Sequence, residues 1–227
     1  MQEYNQYFNR QIQLWGEEKQ KSLQDKKIVI IGSGGLGCSL GIALGSSGIG
    51  QIDIVDFDTV GIHNIHRQIA FDIDDNEKVK AEVLKQHILS RCPYIKVNSF
   101  EMSFEEFSTL SKEKYDLIID ATDNLPVRSQ IDTFAKDTNT PWLYGSVEAF
   151  HGQVCFFNKA SFKSVFNISD HKPAGIAAPI VMNIASLQAN LALRYLVGLA
   201  VKKDFLYYCF FNEDGEFVTQ KFGLPKS

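Results

Sequence analysis

Apolar residues in this chain fall into short continuous runs, separated by stretches in which they recur every three or four positions. The runs are KIVII (27–31), GQIDIVDFD (50–58), IKVNSF (95–100), YDLIIDATDN (115–124), PWLYGSV (141–147) and GQVCFFN (152–158). Continuous apolar character marks strands covered on both faces, and its alternation with helical spacing marks a parallel sheet with crossover helices. Helices are expected at about Gly35–Ser46, Glu77–Ser90, Ser103–Ser111 and Leu125–Lys136, the second closed by Pro93. A longer apolar stretch, 176–200, carries Pro179, Asn183, Gln188, Asn190 and Arg194. Those polar groups are too many for an isolated helix in lipid, so a buried helix is expected. The tail, DFLYYCFFNEDGEFVTQKF, reads as a hairpin turning at Asp214 and Gly215. The pattern predicts an α/β, Rossmann-like fold: a mostly parallel sheet with flanking helices and a C-terminal antiparallel extension.

Composition narrows this picture without changing it. At 227 residues, 44% hydrophobic and 22% charged, the chain is long enough for one domain with a sizeable core. A net charge of -4 gives no sign of a general nucleic-acid binder. The N-terminus, MQEYNQYFNRQ, lacks the apolar segment of a signal peptide, which predicts a cytoplasmic location and no membrane partner. Cys38, Cys92, Cys155 and Cys209 form no C-x-x-C pair, so no zinc site and four buried free thiols are expected.

The first candidate chemistry lies in KIVIIGSGGLG. Gly32, Gly34 and Gly37 follow a predicted strand and open a predicted helix, with Gly35 between them. The first permits a tight turn, the second lets a phosphate approach the backbone, and the third lets helix and strand pack closely. Helix N-terminal N–H groups then face an anion. Asp56 ends the next strand, placed to bind a ribose hydroxyl. This much is common to NAD, FAD and ATP sites. The following loop adds Asp58, Asn64, Arg67 and Gln68, and Lys80 begins the next helix. Asp120 and Asp123 end a further strand, so cations, amides and carboxylates are expected to converge on the mouth of the glycine loop. A single domain over 1–227 would comprise an N-terminal helical arm (1–25), a nucleotide-binding core (26–147) and C-terminal strands with a buried helix (148–227).

The segments FNRQIQLWG, GSGGLGCSLGIALGSSGIGQIDIVDFDTV, HNIHRQ, VKAEV, IDATDN and YGSVEAFHGQV occur in this order and together resemble the ThiF/MoeB/HesA family, bacterial relatives of ubiquitin-activating enzymes. The likeness spans roughly 7–157 and continues more faintly through APIVMNIASLQANLALRYL. It implies a homodimeric adenylyltransferase that uses ATP and Mg²⁺ to activate the C-terminal glycine of a ubiquitin-like sulfur-carrier protein ending in Gly-Gly, of the ThiS or MoaD kind. By position, Asp56 resembles the family's ribose-binding acid, and Arg67 and Lys80 its triphosphate-gripping cations. Asn64 and Gln68 match its pocket-lining loop, and Asp123 its magnesium-positioning acid. Arg10 matches an arginine that reaches across the dimer. Many relatives carry two C-x-x-C pairs and a cysteine in the loop before the last long helix; here that loop, 158–175, has neither. Zinc is therefore not expected, and a separate sulfurtransferase is expected to attack the acyl-adenylate. Competing readings are an NAD-dependent oxidoreductase, which leaves Arg67, Lys80 and Asp123 without a task, a non-catalytic nucleotide-binding partner, and a tRNA-modifying relative.

Overall fold

A computed structural model describes residues 2–166 and 175–225. Eight strands form one sheet: β1 (Lys27–Ile31), β2 (Gln51–Val55), β3 (Lys96–Phe100), β4 (Leu117–Asp120), β5 (Trp142–Glu148), β6 (His151–Phe157), β7 (Phe205–Phe211) and β8 (Phe217–Gly223). Their spatial order is β3-β2-β1-β4-β5-β6-β7-β8. Pairing is parallel from β3 through β5 and antiparallel from β5 through β8. The expected mixture of parallel sheet and antiparallel extension is thus present.

The continuous apolar runs are explained by burial on both faces. In β1, Ile28 and Ile30 join a core shared with helices α4 (Gly35–Gly45), α5 (Lys80–Arg91) and α9 (Ala178–Leu196). Val29 and Ile31 join the opposite core, shared with α6 (Phe104–Leu110), α7 (Leu125–Asp137) and α8 (Phe162–Val165). A one-residue slip would exchange the two sets, which fixes the register. Helix α9 buries Ile180, Val181, Ile184, Ala185, Gln188, Leu191 and Ala192, a stripe at helical spacing, as expected of a buried helix. Among the described residues no helix is long and apolar enough to cross a membrane.

Three differences from the sequence reading concern positions near the site. Helix α5 begins at Lys80, not Glu77, because 77–80 are hydrogen-bonded to the loop after β2. Val60 N–H donates to Lys78 O (2.8 Å), Glu77 N–H to Val60 O (2.8 Å) and Lys80 N–H to Asp58 O (3.0 Å). The run at 115–124 contributes only a four-residue strand, since the Asp120 carboxylate accepts from Thr122 N–H (2.9 Å) and turns the chain. The loop after β6 holds the short helix α8, which periodicity did not reveal. Two carboxylates secure that segment. Asp204 accepts from the N–H groups of Asn158, Lys159 and Ala160, and Asp132 accepts from Ser161 Oγ and Phe162 N–H. His171 and most of SDHKPAG lie outside the described residues.

The N-terminal arm forms α1 (Gln2–Tyr7), α2 (Asn9–Trp15) and α3 (Glu17–Ser22). Gln11 and Gln20 both donate to the carbonyl of Ser47, just past the C-terminal end of α4. The D-G hairpin joins β7 to β8, with Gly215 at φ +80°. All four cysteines are free and buried. Burial pushes the Cys38 thiol up to about 12 and raises that of Cys155 as well.

Candidate nucleotide site

The order β3-β2-β1-β4-β5 reverses direction between β1 and β4, which makes the crevice beyond their C-terminal ends the expected ligand position in an open α/β sheet. The glycine loop lies there. Gly32 has φ +94°, and a Cβ on it would sit 2.8 Å from Ala121 O, just past β4. A Cβ on Gly37 would fall 2.1 Å from Gly32 O, so only glycine lets α4 rest this close to the strand. Gly34 caps α4 without a side chain to satisfy its first N–H groups, and Gly35 opens the helix. Those N–H groups are left for an anion.

Around this turn the loop residues are close-packed. A Cβ on Gly34 would be 3.6 Å from Gln68 Nε2, and one on Gly35 3.5 Å from Arg67 O. Gln68 is 4% exposed, yet its Oε1 has no hydrogen-bond partner. An orphaned buried acceptor beside an open helix N-terminus favours a ligand that brings a donor. Arg67 is half-buried and spread over local acceptors: Asn64 Oδ1 (3.2 Å), His63 O (3.4 Å) and the His66 ring (3.0 Å). Asn64 itself is buried.

Asp56 stands at the end of β2 with its carboxylate turned to the glycine loop. Oδ2 accepts from Ser33 N–H (2.6 Å) and Ser33 Oγ (2.8 Å), and Oδ1 accepts from Asp58 N–H (2.8 Å). Asp58 in turn pairs with Lys80, Nζ to Oδ2 at 2.9 Å. Lys80 is 5% exposed while the Asp58 side chain is half in water. A buried cation whose counter-ion is half exposed is a group that an incoming polyanion can take over, because the carboxylate can return to solvent at little cost.

The carboxylates after β4 behave differently from each other. Asp123 is exposed in the turn before α7. Asp120, expected at the mouth of the site, is instead fully buried beneath it. Its Oδ2 pairs with Arg128 Nε at 3.1 Å, and its Oδ1 accepts from Thr122. Burial pushes the Asp120 carboxyl up and the Arg128 guanidinium opposes that. The pair is internal scaffolding: Arg128 also donates to Thr122 O and to Gly145 O (3.1 Å), tying β4, α7 and β5 together. Gln188 of α9 completes this knot by donating to Asp120 O (2.8 Å).

Gly32, Gly34, Gly35, Gly37, Asp56, Asp58, Asn64, Arg67, Gln68 and Lys80 are therefore linked by a continuous chain of contacts, with Asp123 just beyond Ala121. Arg10 is not among them. It is exposed on α2 with Gln13 as its hydrogen-bond partner, and its helix docks at the opposite end of α4 from the glycine loop. Sequence reasoning missed Ser33, Arg128 and Gln188, whose aspartate partners Asp56, Asp120 and Asp120 lie 23, 8 and 68 residues away. The cradle fits a nucleoside triphosphate: an open helix N-terminus, a carboxylate for a sugar hydroxyl, and cations for phosphates. No group of three or more His, Cys, Asp or Glu able to hold a metal occurs among the described residues. A lone exposed Asp123 fits Mg²⁺, which commonly takes one or two carboxylates together with substrate phosphates and waters.

Comparison with known proteins identifies the family. The chain is 33% identical over 192 residues to the adenylyltransferase and sulfurtransferase MOCS3 of Dictyostelium discoideum, a match covering 80% of this chain and 45% of that protein. It is 30% identical over 204 residues to the molybdopterin-synthase adenylyltransferase of Escherichia coli, covering 84% of this chain and 82% of that one. It thus spans less than half of the first relative and most of the second. The crystal structure of Escherichia coli MccB with ATP superposes with a TM-score of 0.83 at 22% identity, covering 96% of this chain and 72% of that one, which is a likeness of fold. The ThiF family model matches residues 8–222, from the arm to β8, taking in the glycine loop and everything around it, and the chain belongs to the ThiF family.

Proposed function

We propose that this chain is an adenylyltransferase that uses ATP to activate the C-terminal carboxylate of a ubiquitin-like sulfur-carrier protein, of the ThiS or MoaD kind, releasing pyrophosphate. The observation that carries the reading is the buried Lys80, ion-paired with a half-exposed Asp58, beside an uncapped helix N-terminus. These are features of a phosphate cradle, and a hydride-transfer site has no need of the cations. Residues 1–227 are read as one adenylation unit.

The chemistry asks for charge and position. A terminal carboxyl has a pKa of about 3.3–3.7 and is already an anion at neutral pH, so no general base is required. One of its oxygens attacks the α-phosphorus of ATP, the bond from that phosphorus to the bridging oxygen of the β-phosphate breaks, and pyrophosphate leaves with the electron pair. The product is an acyl-adenylate. The obstacle is bringing one anion against another. The N–H groups of α4 hold phosphate oxygens, Gln68 Oε1 accepts from a donor on the nucleoside, Asp56 holds the ribose, and Lys80, released from Asp58, with Arg67 neutralises the triphosphate. Asp123 would hold Mg²⁺, which when bound would supply further neutralisation of the departing pyrophosphate. Arg10 acts from a second copy in a homodimer, since its own site lies beyond the far end of α4. The loop 158–175 contains no cysteine, so sulfur transfer falls to a separate enzyme.

The test is ATP–pyrophosphate exchange with magnesium, with and without carriers of both kinds ending in Gly-Gly. Exchange that requires one carrier establishes the reaction and its partner. Tight ATP binding with no exchange on either carrier overturns the sulfur-carrier assignment and points to another carboxylate substrate.

A further inference from the structure

Asp56 presents a countable acceptor inventory. An ionised carboxylate offers about four lone-pair sites, two on each oxygen. Ser33 N–H and the Ser33 hydroxyl occupy both sites of Oδ2, at 2.6 and 2.8 Å, and Asp58 N–H occupies one site of Oδ1 at 2.8 Å. A single acceptor position is left, on Oδ1. Two of the three donors are backbone groups fixed by the chain path. The third belongs to a side chain that the glycine motif itself does not require.

We propose that Ser33 is a specificity-determining residue, filling Oδ2 so that Asp56 reads one ribose hydroxyl of the bound nucleotide and not both. Ser33 is fully buried, with its carbonyl held by the Cys38 thiol at 3.3 Å. Its hydroxyl cannot turn to solvent, and rotating away from Asp56 would leave it buried without an acceptor. The carboxylate is therefore asymmetric towards a vicinal diol, which can approach Oδ1 but meets a saturated Oδ2. The inference rests on the nucleotide reading above, and binding alone tests it.

The experiment is equilibrium binding of ATP, 2′-deoxy-ATP and 3′-deoxy-ATP, with magnesium present, to the native protein and to the Ser33→Ala and Asp56→Ala variants. In the native protein one deoxy nucleotide should bind roughly tenfold to a hundredfold more weakly than ATP, and the other within about twofold, as loss of one hydrogen bond to a charged acceptor predicts. In Ser33→Ala an Oδ2 site is freed, and both deoxy nucleotides should weaken. In Asp56→Ala neither should differ from ATP. Equal weakening by both analogues in the native protein, or an unaltered pattern in Ser33→Ala, overturns the proposal. Failure of the folded native protein to bind ATP at all overturns the nucleotide reading itself, and this inference with it.

Discussion

Lys80 condenses the physical argument at the residue scale. Burying an ammonium is costly unless it is paired, and here the pairing comes from a carboxylate that is half in water. Replacing it by methionine keeps the volume and removes the charge, and the Asp58 carboxylate left behind is half exposed and can be solvated, so no charge is stranded in the interior. Lys80→Met should therefore unfold normally in denaturant while its carrier-dependent pyrophosphate exchange falls about a hundredfold to a thousandfold, the cost of one preorganised charge contact. Full exchange in that variant would remove Lys80 from the site. The position of Lys80 was legible in the sequence because a motif of local spacing carried it, as it did Gly32, Gly37 and Asp56. Ser33 was not, since nothing in GSGGLG shows that the residue between two glycines will face a carboxylate 23 positions on. Asp120 was legible as a strand-terminal acid but misjudged as a site residue, because its partner Arg128 is recognisable only once α7 is folded back on β4.

At the scale of elements, strands were read better than helix ends. Apolar runs report burial directly, and burial on both faces left little choice. Glu77 and Lys78 look helical by composition, but their backbone groups are taken by Val60 and the loop beyond it, and Glu77 adopts φ +70°. Tertiary hydrogen bonds override propensity there, and the same bonds bring Lys80 to Asp58. The knot of Asp120, Arg128, Thr122, Gly145 and Gln188 joins β4, α7, β5 and α9 through one buried ion pair. Asp120→Asn leaves the guanidinium buried without its counter-charge and should cost about 3–5 kcal/mol of unfolding free energy, read from urea or thermal melts. A melt unchanged from the native protein would show that Arg128 finds solvent or another anion.

At the scale of the whole molecule, the arm and the glycine loop sit at opposite ends of α4, so an arginine on α2 can serve a nucleotide only in another copy. Mixing Arg10→Ala with Asp123→Ala should then restore activity that neither variant has alone. In the proposed homodimer, random pairing of equal amounts would give heterodimers with one intact site each, about a quarter of the native sites. No recovery on mixing would place Arg10 outside the mechanism. The four buried thiols open the proposed homodimer to measurement by another route. With no native cysteine reaching solvent, a single one introduced at exposed Gln13 would be the sole point of attachment for a spin label on the folded protein. A defined distance between two such labels would show that copies pair and how, and its absence would show a monomer.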